Sequence, residues 1–277
     1  MCRVSNSVKS GLINVLDGLE SEIGKKCPDQ KVATIKFNGS EFEFGENFIL
    51  KEERKANEKK VEIKKNKQIK RIVVILESPH NDEFNAEITG PALGKTGKLF
   101  EIYFIESFNK LYSKGHSGIE ENGYEIIFMN SIQYKTSLGY DTRIFRDRVW
   151  LTLWCNDEIS ISFNDRLKGY EPDIIINLCT VGLHQNVNEN GTNNISYKFI
   201  ESLKLGVEKD EKNNLYLNSK VIYNSKYYKE HYTLNGFVQT SIDLLYNNDS
   251  YKNVILLTGK HPSSWSRNEK NRILNNI

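Results

Sequence analysis

Four short, unbroken apolar runs constrain this chain more than any other feature: RIVVILE at 71–77, YEIIFMN at 124–130, PDIIINLC at 172–179 and NVILLTG at 253–259. They are rich in β-branched residues and do not alternate polar with apolar positions. Such runs fit strands buried on both faces, which is the environment of a parallel sheet. Helical spacing fills the intervals at 97–113, about 143–155 and about 228–247, so strand and helix alternate. That order argues a layered α/β domain. In open sheets of this kind ligands sit at the carboxyl ends of the strands. Each run ends in polar or conformationally special residues: Glu77-Ser78-Pro79-His80, Asn130-Ser131, Cys179-Thr180 and Gly259-Lys260-His261-Pro262. Four strand ends can therefore converge on one site.

The rest of the chain is arranged around this core. Residues 7–24 carry apolar side chains at helical spacing, and KVATIKFNGSEFEF reads as a hairpin turning at Asn38-Gly39. Residues 51–71 hold ten Lys/Arg against four Glu, which reads as a charged connector or a solvated helix. The expected organisation is an N-terminal helix, hairpin and connector over 1–68, then an α/β domain over 69–277. A polar, Asn-rich insertion at about 180–226 interrupts that domain. The expected fold is a three-layer α/β/α sandwich on a central, mainly parallel four-stranded sheet.

Composition excludes several classes. A net charge of +2 is too small to indicate a polyanion partner by itself, so any basic footprint must be local. Cys2, Cys27, Cys155 and Cys179 show no C-x-x-C spacing, and the five histidines show no metal-ligand spacing. The N-terminus lacks an apolar signal core and no run is long enough for a membrane span. A cytoplasmic monomer without metal or cofactor is expected. GPALGKTGK at 90–98 looks like a phosphate-binding loop, but only Pro91, Ala92 and Leu93 separate Gly90 from Gly94, one residue too few. A nucleoside triphosphate is therefore not expected as a ligand.

In order, the strand ends resemble the uracil-DNA glycosylase superfamily over roughly residues 70–270. VVILESPHNDE resembles the first motif of its thermophilic branch, an apolar strand followed by Gly-Glu-Ala-Pro-Gly and a downstream acid, with Glu77 and Pro79 matching and Leu76 replacing a Gly. GPALGKTGKLF resembles the next segment, FMNSIQY the strand ending in a base-reading Asn, and HPSSWS the final His-Pro-Ser motif. The resemblance implies a DNA partner and hydrolysis of an N-glycosidic bond. Positive charge then develops on the sugar and negative charge on the leaving base. The chemistry calls for a carboxylate near the sugar, a donor near the base and a positioned water. Glu77 and His261 are the candidate catalytic pair. Asn130, Pro79, His80 and Ala92 are the candidate base-binding residues. Ser78, Ser263, Ser264, Lys260 and Arg267 are candidates for contacts with the DNA backbone. Trp265 takes the place of the Leu that wedges into the duplex.

Two departures from the family pattern bear on substrate. Ala92 stands where the thermophilic branch has a base-stacking Phe, so the pocket is expected to take a pyrimidine bulkier than uracil, such as a modified cytosine of phage DNA, unless Phe84 or Tyr134 fills the space. The branch's iron–sulfur cysteines have no counterpart at matching spacing. No Lys is placed to form a Schiff base, so hydrolysis without strand cleavage is expected. Two alternatives stand beside this reading: a uracil-excising repair enzyme, and a non-catalytic protein that binds DNA or modified bases on the same fold.

Overall fold

The computed structural model describes residues 26–46, 70–84, 89–115, 118–136, 145–182, 195–226, 232–246, 253–267 and 272–275. The expected helix at 7–24, most of the charged connector and residues 183–194 of the insertion lie outside these. The fold is mixed α/β on one mostly parallel central sheet. Its core strands are β3 (Lys70–Leu76), β4 (Tyr124–Asn130), β5 (Ile174–Asn177) and β9 (Ile255–Gly259). They run parallel in the order β9-β5-β3-β4.

The sheet has seven strands rather than the expected four. On one side, β1 (Gln30–Phe37) pairs antiparallel with β4 and carries β2 (Phe42–Glu46) beyond it. On the other, β10 (Ile273–Asn275) pairs antiparallel with β9. The expected hairpin is present, with Gly39 at φ +100° and the Asn38 side chain accepting from the Ser40 and Glu41 amides. It is part of the main sheet and not an extension beside it, because the open edge of β4 offers unpaired backbone groups that β1 satisfies.

Each face of the sheet has its own apolar core. Ile72, Val74, Leu76, Ile126 and Phe128 face α1 (Lys95–Ser113), which presents Phe100, Phe104 and Phe108 one turn apart. Neighbouring rings of that stripe stack at 4.4 and 5.5 Å between centroids. Val73, Ile75, Ile127, Met129 and Ile175 face the opposite way. They meet Trp150 and Trp154 of α2 (Phe145–Trp154), Phe163 of α3 (Asp157–Gly169) and Phe237 of α5 (Leu234–Tyr246). α2 falls on the helix expected at about 143–155, whereas α3 was not expected from the sequence. Its signal is Asn156, whose side chain caps α3 by accepting from the Glu158 amide.

The polar insertion is folded where it is described. A short helix α4 (Tyr197–Ser202) leads into a three-stranded meander of β6 (Val207–Lys209), β7 (Leu215–Leu217) and β8 (Lys220–Tyr223). Tyr223 seats this unit on α5, edge-on to Phe237 at 4.9 Å. Among the described residues, no helix is long and apolar enough to cross a membrane.

The glycines of GPALGKTGK have a packing explanation. A Cβ on Gly97 would land on the Ala92 carbonyl oxygen, and one on Gly90 would land on the Gln30 side chain. The loop folds back against the first turn of α1 and against β1. Gly97→Ala is expected to destabilise the protein by about 1–3 kcal/mol in denaturant unfolding, since the obstacle is backbone that cannot swing aside.

Candidate active site

Strand β3 stops at Leu76, and the next residue is held by its main chain. The Glu77 carbonyl accepts from Ser131 Oγ at 2.6 Å, Trp150 Nε1 at 3.0 Å and the Ile132 amide at 3.2 Å. The Ser131 amide donates to the Leu76 carbonyl at 2.7 Å, which ties the ends of β3 and β4 together. With its backbone fixed, Glu77 places a carboxylate that is only 8% exposed at the carboxyl edge of the sheet. Its Oε2 is buried and makes no hydrogen bond of ordinary geometry.

His261 arrives from the far end of the chain. It follows β9 and caps the single turn Pro262–Ser264, its Nδ1 accepting from the Ser263 amide at 3.3 Å and lying 2.8 Å from Ser263 Oγ. A ring nitrogen that accepts from an amide carries no proton, so in the neutral ring the hydrogen is assigned to Nε2. Nε2 stands 3.2 Å from Glu77 Oε2. The structure thus brings together the two residues expected to be catalytic, although they touch each other and do not face each other across an open gap. Ser264 Oγ donates to the His261 carbonyl at 2.7 Å and fixes the turn.

Asn130 ends β4 beside them and is 1% exposed. Its main-chain carbonyl accepts from Arg166 at 3.0 Å, and Asp29 pairs with the same guanidinium at 2.7 Å. Neither Oδ1 nor Nδ2 completes a hydrogen bond of ordinary geometry among the described residues. A buried amide without partners costs about 1–3 kcal/mol per group, so it is expected to meet a ligand or a neighbour that turns toward it. That neighbour is Glu83, whose carboxyl lies close enough to the carboxamide for Asn130 to lower its pKa, though not in ordinary hydrogen-bond geometry. Burial dominates and pushes the Glu83 pKa up to about 8. The Ala92 amide and Asn130 pull it down, the Glu77 charge raises it, and the His80 amide lowers it. Of the two neighbouring acids, Glu83 is therefore neutral at pH 7. Burial also raises the Cys179 thiol well above its usual range, with the Glu77 charge adding to the effect.

The remaining expected residues divide. Pro79 and Ala92 are buried beside the pair, and Ala92 holds φ 56°, a left-handed conformation that is strained for any residue with a side chain. The Ala92 side chain packs in the apolar cluster with Phe100, so it is the amide that faces Glu83. His80 is exposed at the rim, as are Lys260, Ser264 and Arg267. Ser78 Oγ is bonded to Thr136 Oγ1 at 2.6 Å, and Ser263 orients His261, so neither hydroxyl is held ready for a phosphate. Trp265 does not project as a wedge. It is 3% exposed, stacks on Phe100 at 5.7 Å and donates from Nε1 to the Lys260 carbonyl at 2.7 Å. The indole gains more from burial against α1 than it would from standing in solvent. Phe84 is half-buried, and Tyr134 is buried under the Lys26 ammonium.

Glu83, Arg166 and Asp29 are the members of the site that sequence reading missed. Glu83 had a signal, the downstream acid of ESPHNDE. Arg166 and Asp29 had none, because their relevance lies in holding the carbonyls of Asn130 and Ser131. Among the described residues no group of three His, Cys, Asp or Glu is arranged to hold a metal ion, and Cys27, Cys155 and Cys179 form no disulfide. The chain matches no family model, no curated protein and no solved structure.

Glu83 should leave a mark on stability against pH. Its folded pKa lies above its unfolded value, so the native state holds the extra proton between about 4.5 and 8 and loses stability as pH rises through that window. Thermal unfolding between pH 5 and pH 8.5 is expected to show that decline in the wild type. Glu83→Gln, which keeps the shape but cannot ionise, is expected to flatten it.

Proposed function

We propose that this protein is a monofunctional DNA glycosylase that hydrolyses the N-glycosidic bond of a flipped-out modified pyrimidine. The observation that carries the reading is the 3.2 Å contact between Glu77 Oε2 and His261 Nε2, beside a buried and unpartnered Asn130. An acid, an imidazole donor and a base-reading carboxamide at the carboxyl edge of a parallel sheet are the three groups this reaction needs. The packing of helices against both faces supports reading the domain as a three-layer α/β/α sandwich around its four parallel strands.

In the free protein the Nε2–H of His261 points to Glu77. An entering nucleotide parts the two, and a base oxygen replaces the carboxylate as acceptor for that hydrogen. Glu77 is then free to accept from the water that attacks C1′. The C1′–N bond breaks, water oxygen bonds to C1′, the water proton passes to Glu77, and the base leaves as an anion stabilised by Nε2–H. The site must take a flipped-out nucleotide because these groups are buried too deeply to reach a stacked base. Exposed Lys260 and Arg267, next to the His261 turn, are the proposed phosphate contacts. The preference for a substrate bulkier than uracil rests on the sequence departure at position 92 alone, since the Ala92 methyl packs in the core with Phe100 and does not line the site.

A second reading rests on the same contact. Glu77 and His261 satisfy each other as a structural pair would, which fits a protein that binds modified bases without cleaving them. Base-release chromatography on duplexes and single strands carrying uracil and 5-modified pyrimidines separates the two. Release is expected from at least one modified substrate. It is expected to fall by about 10²–10³ in His261→Ala and by at least about 10² in Glu77→Gln. Release unaffected by Glu77→Gln would assign the chemistry elsewhere, and cleavage confined to plain uracil would reject the larger pocket.

A further inference from the structure

In the proposed chemistry His261 must stay in place after Glu77 has let go of it. The chain leaves the sheet at the end of β9, carries His261 on the following turn, and is back beside β9 as β10. The two ends of this excursion meet, since the Lys260 amide donates to the Arg272 carbonyl at 3.1 Å. Ser263 and Ser264 bond to His261 from within the turn. Those bonds shape the turn, but they do not fix where it stands relative to Glu77.

Two side chains fasten the turn to α1. Trp265 stacks on Phe100 and donates to the Lys260 carbonyl. The other is Arg272, which is 2% exposed. Its Nη2 donates to the Ser266 carbonyl at 2.8 Å and reaches the Arg267 carbonyl at 3.4 Å. Its Nη1 donates to Glu106 at 3.1 Å and to Ser107 Oγ at 3.3 Å, both on α1. The guanidinium carbon lies 4.3 Å from the centroid of the Tyr103 ring, on the same helix. One planar fork thus joins the carbonyls that follow the His261 turn to three residues of α1. A lysine, with a single point of charge on a flexible stem, could do this only in part.

We propose that Arg272 is a positioning residue for His261: it clamps the 260–267 turn to α1, so that Nε2 keeps its place when the nucleotide displaces the Glu77 carboxylate. This rests on the glycosylase reading and adds a member to its machinery. In the free protein Glu77 itself helps to hold the imidazole, at 3.2 Å. That contact is given up as the nucleotide enters, when Nε2–H must face the departing base. The imidazole then needs support from outside the pair. Helix α1 is suited to give it, because Phe100, Phe104 and Phe108 are buried against the sheet. A donor fixed before the reaction costs no reorganisation during it. Arg272 acts on the chemistry only through His261, which separates its role from general support of the fold.

The test compares full-length wild type with Arg272→Met and Arg272→Lys, each also made in a His261→Ala background. Hydrogen exchange read by mass spectrometry follows the 260–267 amides, with β3 and β4 as internal references. Base release is measured on strands carrying 5-modified pyrimidines. Exchange at 260–267 is expected to quicken by about tenfold or more in Arg272→Met and by less in Arg272→Lys, while β3 and β4 stay level. In Arg272→Met, kcat is expected to fall by about tenfold or more with KM within about twofold, and Arg272→Lys is expected to restore part of the loss. In the His261→Ala background the same substitution is expected to cost less than about twofold further. Should Arg272→Met fail to fold, Arg272→Lys and Glu106→Ala, which removes a half-exposed partner, decide by the same readouts. Faster exchange confined to 260–267, without base release from any substrate by the wild type, keeps the clamp and removes the glycosidic chemistry. Base release whose loss persists undiminished in His261→Ala overturns the role of Arg272 and keeps the chemistry. Exchange that quickens across β3 and β4 as well, or does not change at 260–267, overturns that role too.

Discussion

Strand β3 is covered on both faces and hydrogen-bonded along both edges, to β4 and to β5. From Ile72 to Leu76 every side chain is apolar and buried, with Lys70 and Arg71 at the strand's start, so the chemistry at its other end is displaced to the point where it leaves the sheet. That point is Glu77. Its carbonyl draws three donors from the loop after β4 and from α2, and this convergence fixes the carboxylate relative to Asn130. The site is in this sense the terminus of one buried strand, completed by what the neighbouring strands deliver.

The electrostatics follow from that confinement. Two acids, Glu77 and Glu83, share a region poor in solvent, and burial together with their mutual repulsion keeps Glu83 neutral. Glu77 has the imidazole of His261 opposite it, whereas among the described residues Glu83 has backbone amides, a carboxamide and a thiol near it. Equal side-chain chemistry thus meets two different surroundings, and at Glu83 burial raises the pKa to about 8. The segment from Lys26 to Gln30 closes the back of this region. Cys27 approaches Glu83, Asp29 holds Arg166, and Gln30 bonds the carbonyl that precedes the glycine loop.

Much of this was legible before any coordinates. The four apolar runs mark the parallel strands, since uninterrupted β-branched sequence suits few other environments. The placement of Glu77, Asn130 and His261 at strand ends follows from the same runs. The hairpin was readable at Asn38-Gly39, but its partner was not, because the choice of which open edge to extend depends on the assembled sheet. Trp265 illustrates the opposite failure. A large apolar residue next to a functional turn reads equally well as a projecting wedge or as core, and Phe100 decides between them. Helix α3 had a local signal that went unread, the capping Asn156 followed by Ile159, Phe163 and Leu167 at helical spacing.

The sequence by itself determined the strand order of events along the chain, the alternation with helices and the polar residues that close each strand. These are local matters, set by burial pattern and turn chemistry within a few residues. The tertiary structure alone decided that β1 would extend the sheet, that Asp29 would hold Arg166, that His261 would meet Glu77 and that Glu83 would lie unionised against Asn130. Each of these depends on distance through space between segments far apart in the chain. Desolvation of a carboxyl is a property of everything packed around it, which no single stretch of residues encodes.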